Sequence, residues 1–177
     1  MDRDLQKHKT YLEMASTISK LSKDGKTKVG AVIVDSNGKI VSLGYNGAAN
    51  GIDDTKIDYS GNVFNANINF DMDGKCCEFE TQKNDYMIHA ELNAILNTDD
   101  KKRLNNATCY ITHYPCNNCA NTLVQVGIKS VHVLDNLTNS GSKYINKSLW
   151  ILENSNVDLY IYNNDFEKVK GKVRQWK

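Results

Sequence analysis

The sequence holds a single proline, no apolar run long enough to span a bilayer and almost no net charge. Each shortage removes a class of explanation. The longest apolar runs, Val29–Val34 and Leu149–Leu152, fall far short of the about 20 residues a spanning helix needs. The first ten residues, MDRDLQKHKT, are charged and lack an apolar stretch, so a secretory leader is not expected and a cytoplasmic location is. A formal net charge of +1 gives no long-range attraction towards nucleic acid. Five cysteines, an odd number, speak for reduced thiols rather than a disulfide framework. The lone proline and the wealth of Asn, Asp and Lys reflect genome bias more than mechanism. A length of 177 residues suits one domain with a substantial core.

Periodicity along the chain outlines that domain. Residues 4–22 are predicted as a helix, because Leu5, Leu12, Ala15, Ile18 and Leu21 recur near helical spacing. Two strands, Val29–Val34 and Lys39–Leu43, flank Asp35-Ser36-Asn37-Gly38, a hairpin signal. The near-continuous apolar run in the first places it centrally in a sheet. Regularity then fades from about residue 48 to 86, a loop-rich insertion in which 67–72 and 75–80 suggest a small hairpin around Asp73-Gly74. It resumes with a helix at His89–Asn97, a strand at Ala107–Thr112 and a helix at Cys116–Val126. A strand at Val131–Leu134, a helix at Tyr144–Leu152 and a strand at Val157–Tyr162 follow. Alternating strands and helices predict an α/β fold, a three-layer α/β/α sandwich on a mixed five-stranded sheet. The tail, about 164–177, carries a basic amphipathic pattern that reads as a solvated face.

Two short segments carry chemistry: His89-Ala90-Glu91 and Pro115-Cys116-Asn117-Asn118-Cys119. Cys116 and Cys119, three apart, share one face of a helix turn. The helix N-terminus favours their thiolates, and Pro115 fits at the helix start. With the His89 imidazole they make three zinc ligands. Structural zinc sites normally use four protein ligands, so a set of three leaves a position for water. Zinc lowers the pKa of a bound water from about 15.7 to roughly 7. Hydrolytic removal of an amine also needs a proton carrier, and Glu91 is the candidate. Residues two apart normally face different sides of a helix, so His89 and Glu91 converge only if His89 stands at the irregular start. Separately these features are bland: a packed histidine, a solvated carboxylate, and a redox pair or half of a structural zinc site. Together they match the His-x-Glu…Pro-Cys-x-x-Cys signature of zinc nucleobase deaminases.

Beyond that signature the chain resembles the deoxycytidylate (dCMP) deaminase family, in a phage-like form. The resemblance rests on four stretches: Ser22-Lys23-Asp24 with Thr27-Lys28-Val29-Gly30-Ala31, Gly44-Tyr45-Asn46-Gly47-Ala48-Ala49-Asn50-Gly51, His89-Ala90-Glu91-Leu92-Asn93-Ala94-Ile95, and Pro115–Ala120. It implies a cytidine-deaminase-like fold and hydrolysis of dCMP to dUMP and ammonia for thymidylate synthesis. It also implies a homohexamer in the host cytoplasm, activated by dCTP and inhibited by dTTP, with Mg2+ accompanying the triphosphate. By this match Lys23, Asn46, Ala90 and Tyr114 contact substrate. Asn46, Gly47, Asn50, Gly51, Asp53 and Asp54 surround the effector. Lys23, Lys26 and Lys28 form a basic cluster adequate for one phosphate, with Lys23 favoured because it lies in the motif. The Tyr114 ring suits a flat pyrimidine or, equally, ordinary packing.

The chain departs from the family pattern at Ala48-Ala49, where a proline is common, and at His113, which replaces an apolar residue. Adjacent Cys76 and Cys77 chelate a tetrahedral ion awkwardly and are not read as a second zinc site, while Cys109 is expected in the core. A deaminase of RNA or single-stranded DNA needs a basic groove with stacking aromatics, and the tail alone hints at one. A non-catalytic zinc module predicts a fourth protein ligand.

Overall fold

The computed structural model describes residues 3–68, 77–134, 142–165 and 168–170. Helix α1 (Arg3–Ser19) lies on one face of a sheet through Leu12 and Ala15, both fully buried. It ends at Ser19, short of the predicted 22, and Leu21 is left exposed. Strands β1 (Gly30–Val34) and β2 (Ile40–Tyr45) form the expected hairpin. Asp35 shapes the turn by accepting from the Asn37 and Lys39 amides at 3.0 and 2.9 Å. Every residue of β1 is buried, since α1 covers one face and the helix that begins at Ala90 packs on the other.

The loop-rich stretch has its own order. Strand β3 (Gly47–Ala48) opens it, β4 (Val63–Ile68) and β5 (Cys77–Gln82) form an antiparallel hairpin, and β6 (Met87–Ile88) closes it by pairing with β3. Its strands are displaced from those predicted, the first beginning four residues earlier and the second ending two later, and Asp73-Gly74 and Cys76 lie outside the described residues. Helix α2 (Ala90–Leu96), strand β7 (Thr108–Ile111), helix α3 (Asn117–Gln125) and strand β8 (Ser130–Leu134) follow. Helix α4 (Ser142–Asn154) and strand β9 (Asp158–Tyr162) come next. A short β10 (Lys168–Lys170) then adds an antiparallel edge where the tail was read only as a charged face.

The main sheet runs β10-β9-β8-β7-β1-β2. Pairing is parallel across β7-β8-β9 and antiparallel elsewhere, so the predicted five strands form the mixed sheet and β10 extends it. One face carries α1 over Val32, Val34 and Tyr110. The other carries Ala90, Ala94, Ala120, Leu123 and Leu152 of α2, α3 and α4, packed on Ala31, Ile33, Val131 and Val133. Cys109 on β7 is fully buried there, a core thiol as expected. Among the described residues no helix is long and apolar enough to cross a membrane.

Helix α2 sits unusually close to β2 at Gly44. A Cβ at that position falls under 3.0 Å from Ala90 O and from Ala94 N and Cα, all backbone atoms that cannot swing aside. Gly44→Ala is therefore expected to cost about 3 kcal/mol or more, lowering Tm by roughly 6–12 °C. A thermal melt checks this, and an unchanged Tm contradicts the close approach.

Candidate active site

Two helix N-termini meet at the site. His89 is the N-cap of α2, in extended conformation (φ −69°, ψ 154°), so its side chain is directed independently of the helix that begins at Ala90. This irregular start lets His89 and Glu91 converge. Cys116 is likewise the N-cap of α3 (φ −71°, ψ 170°), and its sulfur accepts from the Cys119 amide at 3.5 Å. Pro115 therefore precedes the cap and does not occupy the first helical position, as its sequence context suggested. Its fixed φ still shapes the approach of the chain.

His89 Nδ1 lies 3.5 Å from Cys116 Sγ and 3.4 Å from Cys119 Sγ. A tetrahedral ion with Zn–N near 2.05 Å and Zn–S near 2.3 Å places nitrogen and sulfur about 3.6 Å apart. The imidazole nitrogen thus stands from each sulfur at the spacing two zinc ligands require. Their ligand atoms all lie within 4.8 Å of one another, and no fourth side chain joins them among the described residues.

The electrostatics match such a donor set. Hydrogen bonding from the Cys119 thiol, with His89 and the Cys119 amide assisting, pulls Cys116 down to about 3, a thiolate at neutral pH. Cys119 is pushed up, first as the donor to that thiolate and then by burial. His89 is raised by its bond to Cys116. A cation at this point replaces the shared proton. Glu91 is 4% exposed, and burial drives its carboxyl above the ordinary range. That is the direction required of a group that must both accept and donate a proton.

A cavity of about 490 Å³ opens beside this group, within the roughly 300–1,000 Å³ of small-molecule sites. His89, Ala90, Glu91 and Cys116 line it, as do Tyr114 and Asn46. Asn46 serves the wall: its Oδ1 accepts from Val29 N at 2.8 Å, and its Nδ2 donates to Thr27 O at 2.9 Å. It thereby pins the turn running from residue 24 to 29. His113 also lines the cavity, its Nδ1 3.0 Å from Thr112 Oγ1, with burial lowering its pKa.

Lys23 does not line this cavity; its ammonium pairs with Asp54 at a second one of about 220 Å³. Gly47, Asn50, Gly51 and Asp54 line that second cavity with Tyr45 and Tyr59. Asp53 stands outside it as the N-cap of the turn Asp54–Lys56, accepting from Thr55. Residues that sequence reasoning missed in the first cavity are Asp24, Lys83, Asn84 and Met87. Asp24 alone sat within a recognised motif.

Asp24 is buried with Lys83, whose Nζ lies 2.6 Å from both carboxylate oxygens. Burial works to raise the Asp24 carboxyl, but Lys83 and the Thr27 and Lys26 amides outweigh it and hold the group below its ordinary value. Asp35, bound by Arg103, shifts the same way. A folded-state pKa below the unfolded one adds stability that is complete above about 3.9 and lost as pH falls through the depressed values. The contribution of these two carboxylates is therefore constant from about pH 7 to 5, and thermal melts are expected to lose it below about pH 4. Asp24→Asn should blunt the drop.

Residues 5–135 match the family model described as the cytidine and deoxycytidylate deaminase zinc-binding region. A probable deoxycytidylate deaminase of Caenorhabditis elegans is 42% identical over 136 residues, covering 75% of this chain and 59% of that protein. The deoxycytidylate deaminase of Enterobacteria phage T2 is 33% identical over 180 residues, covering 87% of this chain and 91% of the phage protein. The fold is similar to that of the dCMP deaminase from cyanophage S-TIM5 solved with dCMP and dUMP. That match has a TM-score of 0.60 at 22% identity and covers 91% and 98% of the two chains. The chain thus spans about three fifths of the length of the animal relative and nearly all of the phage ones.

Proposed function

Because the chain belongs to the cytidine and deoxycytidylate deaminase family, we propose that it hydrolyses dCMP to dUMP and ammonia. The observation that carries the reading is a buried Glu91 beside three converging zinc donors, at the wall of a nucleotide-sized cavity. Zinc held by His89, Cys116 and Cys119 supplies, when bound, a water acidic enough to react at neutral pH. Glu91 takes one proton as water adds to C4 of the cytosine and passes it to the ring nitrogen, then takes the second from the new C4 hydroxyl and delivers it to the departing amine. Ammonia leaves, and the oxygen of water remains as the uracil carbonyl. Tyr114 offers its ring to the pyrimidine, and Ala90, without side-chain bulk, leaves room at the helix start.

The regulatory part of the proposal uses the second cavity. Lys23, Gly47, Asn50 and Gly51 there suit a triphosphate effector, with dCTP activating, dTTP inhibiting and Mg2+ accompanying the phosphates. A homohexamer supplying dUMP for thymidylate synthesis in a host cytoplasm completes it. The test is ammonia release from dCMP, CMP, cytidine and a cytosine-containing oligonucleotide, with and without dCTP and Mg2+. Preference for dCMP, strengthened by dCTP, is expected; preference for the oligonucleotide would overturn the substrate assignment.

A further inference from the structure

We propose that Lys83, delivered by the end of the β4–β5 hairpin, forms with Lys26 the phosphate subsite that makes this cavity prefer a nucleotide to a nucleoside. The inference rests on the deaminase reading above and assigns to the loop-rich stretch a role in specificity. Lys83 is 5% exposed and lines the cavity that holds Glu91. Its ammonium has three N–H donors; two meet Asp24, and one remains.

A second ammonium stands beside it. A point one bond out from Gly61 Cα lies 3.3 Å from Lys83 Cε and 3.5 Å from Lys26 Nζ, so the two side chains converge over that glycine. Gly61, at φ +86°, makes the turn and leaves the space unfilled. Among the described residues Asp24 is the carboxylate paired with Lys83, and none is paired with Lys26. Two cations against one carboxylate leave positive charge facing the cavity. A buried ion pair is a weak source of stability compared with apolar packing, so stability alone does not explain a lysine placed here. A phosphomonoester does.

The placement of Lys83 is fixed locally. Asp85 accepts from the Gln82 amide at 3.0 Å and from Thr81 Oγ1 at 2.9 Å, capping the turn Lys83–Asp85. That turn aims Lys83 inward.

The experiment measures kcat/KM for dCMP and for deoxycytidine and takes their ratio in the wild type, Lys83→Met, Lys83→Arg and Lys26→Met. The ratio is expected to fall about 10–100-fold in each methionine variant and to be largely kept in Lys83→Arg. A folding defect lowers both substrates together and leaves the ratio alone. The double variant Lys83→Met, Asp24→Asn leaves no uncompensated buried charge and serves if Lys83→Met does not fold. A ratio unchanged in Lys83→Met overturns the proposal, even if it moves in Lys26→Met. Calorimetric binding of dUMP against deoxyuridine repeats the contrast without turnover. Preference for dUMP lost in the variants, with no ammonia from any substrate, keeps the subsite and removes the deaminase reading. Ammonia release with an unchanged ratio does the reverse.

Discussion

Glu91→Gln is expected to lower kcat for dCMP by about 10²–10⁴-fold while zinc content stays at that of the wild type. Glutamine keeps the size of the side chain and its ability to hydrogen-bond to Cys119, but it cannot carry a proton. The carboxyl is 4% exposed, so no bulk buffer can readily replace it. Replacing a buried charge-prone group by a neutral one should also leave Tm unchanged or raise it, because burial already works against the ionised form. Activity lost with stability kept separates a proton carrier from a structural residue. Turnover equal to the wild type contradicts the role.

Cys116→Ala should act on the metal itself. Its sulfur is one of three donors, and its hydrogen bonds from Cys119 and His89 favour the thiolate a metal needs. With it gone, two protein ligands remain, too few for stable binding. Zinc content should fall towards zero. Turnover should drop by more than the roughly 10–100-fold that losing a mere hydrogen-bond partner of a ligand costs. Excess zinc should not restore it. Removal of zinc from the wild type by a chelator should give the same loss, reversed when zinc is added back. Cys119→Ala should match Cys116→Ala, and Cys109→Ala, a core substitution, should keep its zinc. Metal content measured on the purified variants checks each expectation.

The parts of the site that were legible in the sequence are the local ones. A Cys-x-x-Cys pair at a helix start, and a histidine two before a glutamate after a loop, fix their own geometry within one turn. The sheet was legible too, because β1 is a continuous apolar run and β7 and β8 are short, largely apolar segments bounded by turn residues. What escaped was set by distant contacts. Lys83 reads as one more lysine in the polar run Gln82-Lys83-Asn84-Asp85, and its partner Asp24 lies 59 residues earlier. No periodicity marks such a pair. The direction of Lys23 was equally hidden: it belongs to a recognisable motif, and its side chain pairs with Asp54 outside the lining of the Glu91 cavity. The end of α1 was overrun because Leu21 continued the apolar repeat, while the α-helix ends at Ser19 and residues 20–22 continue as tighter turns bonded to the third residue back. Strand β10 has no apolar run at all; Lys168–Lys170 pairs through its backbone with β9.

Activity should depend above all on a zinc ion held by one nitrogen and two sulfurs of the protein, with a position left for water next to Glu91. X-ray absorption at the zinc edge of the purified protein reads this ligand set directly. One zinc per chain with two sulfur neighbours near 2.3 Å and two nitrogen or oxygen neighbours near 2.0–2.1 Å is the expected result. A shell of four protein ligands rich in sulfur, or a protein that purifies and works without zinc, would contradict it.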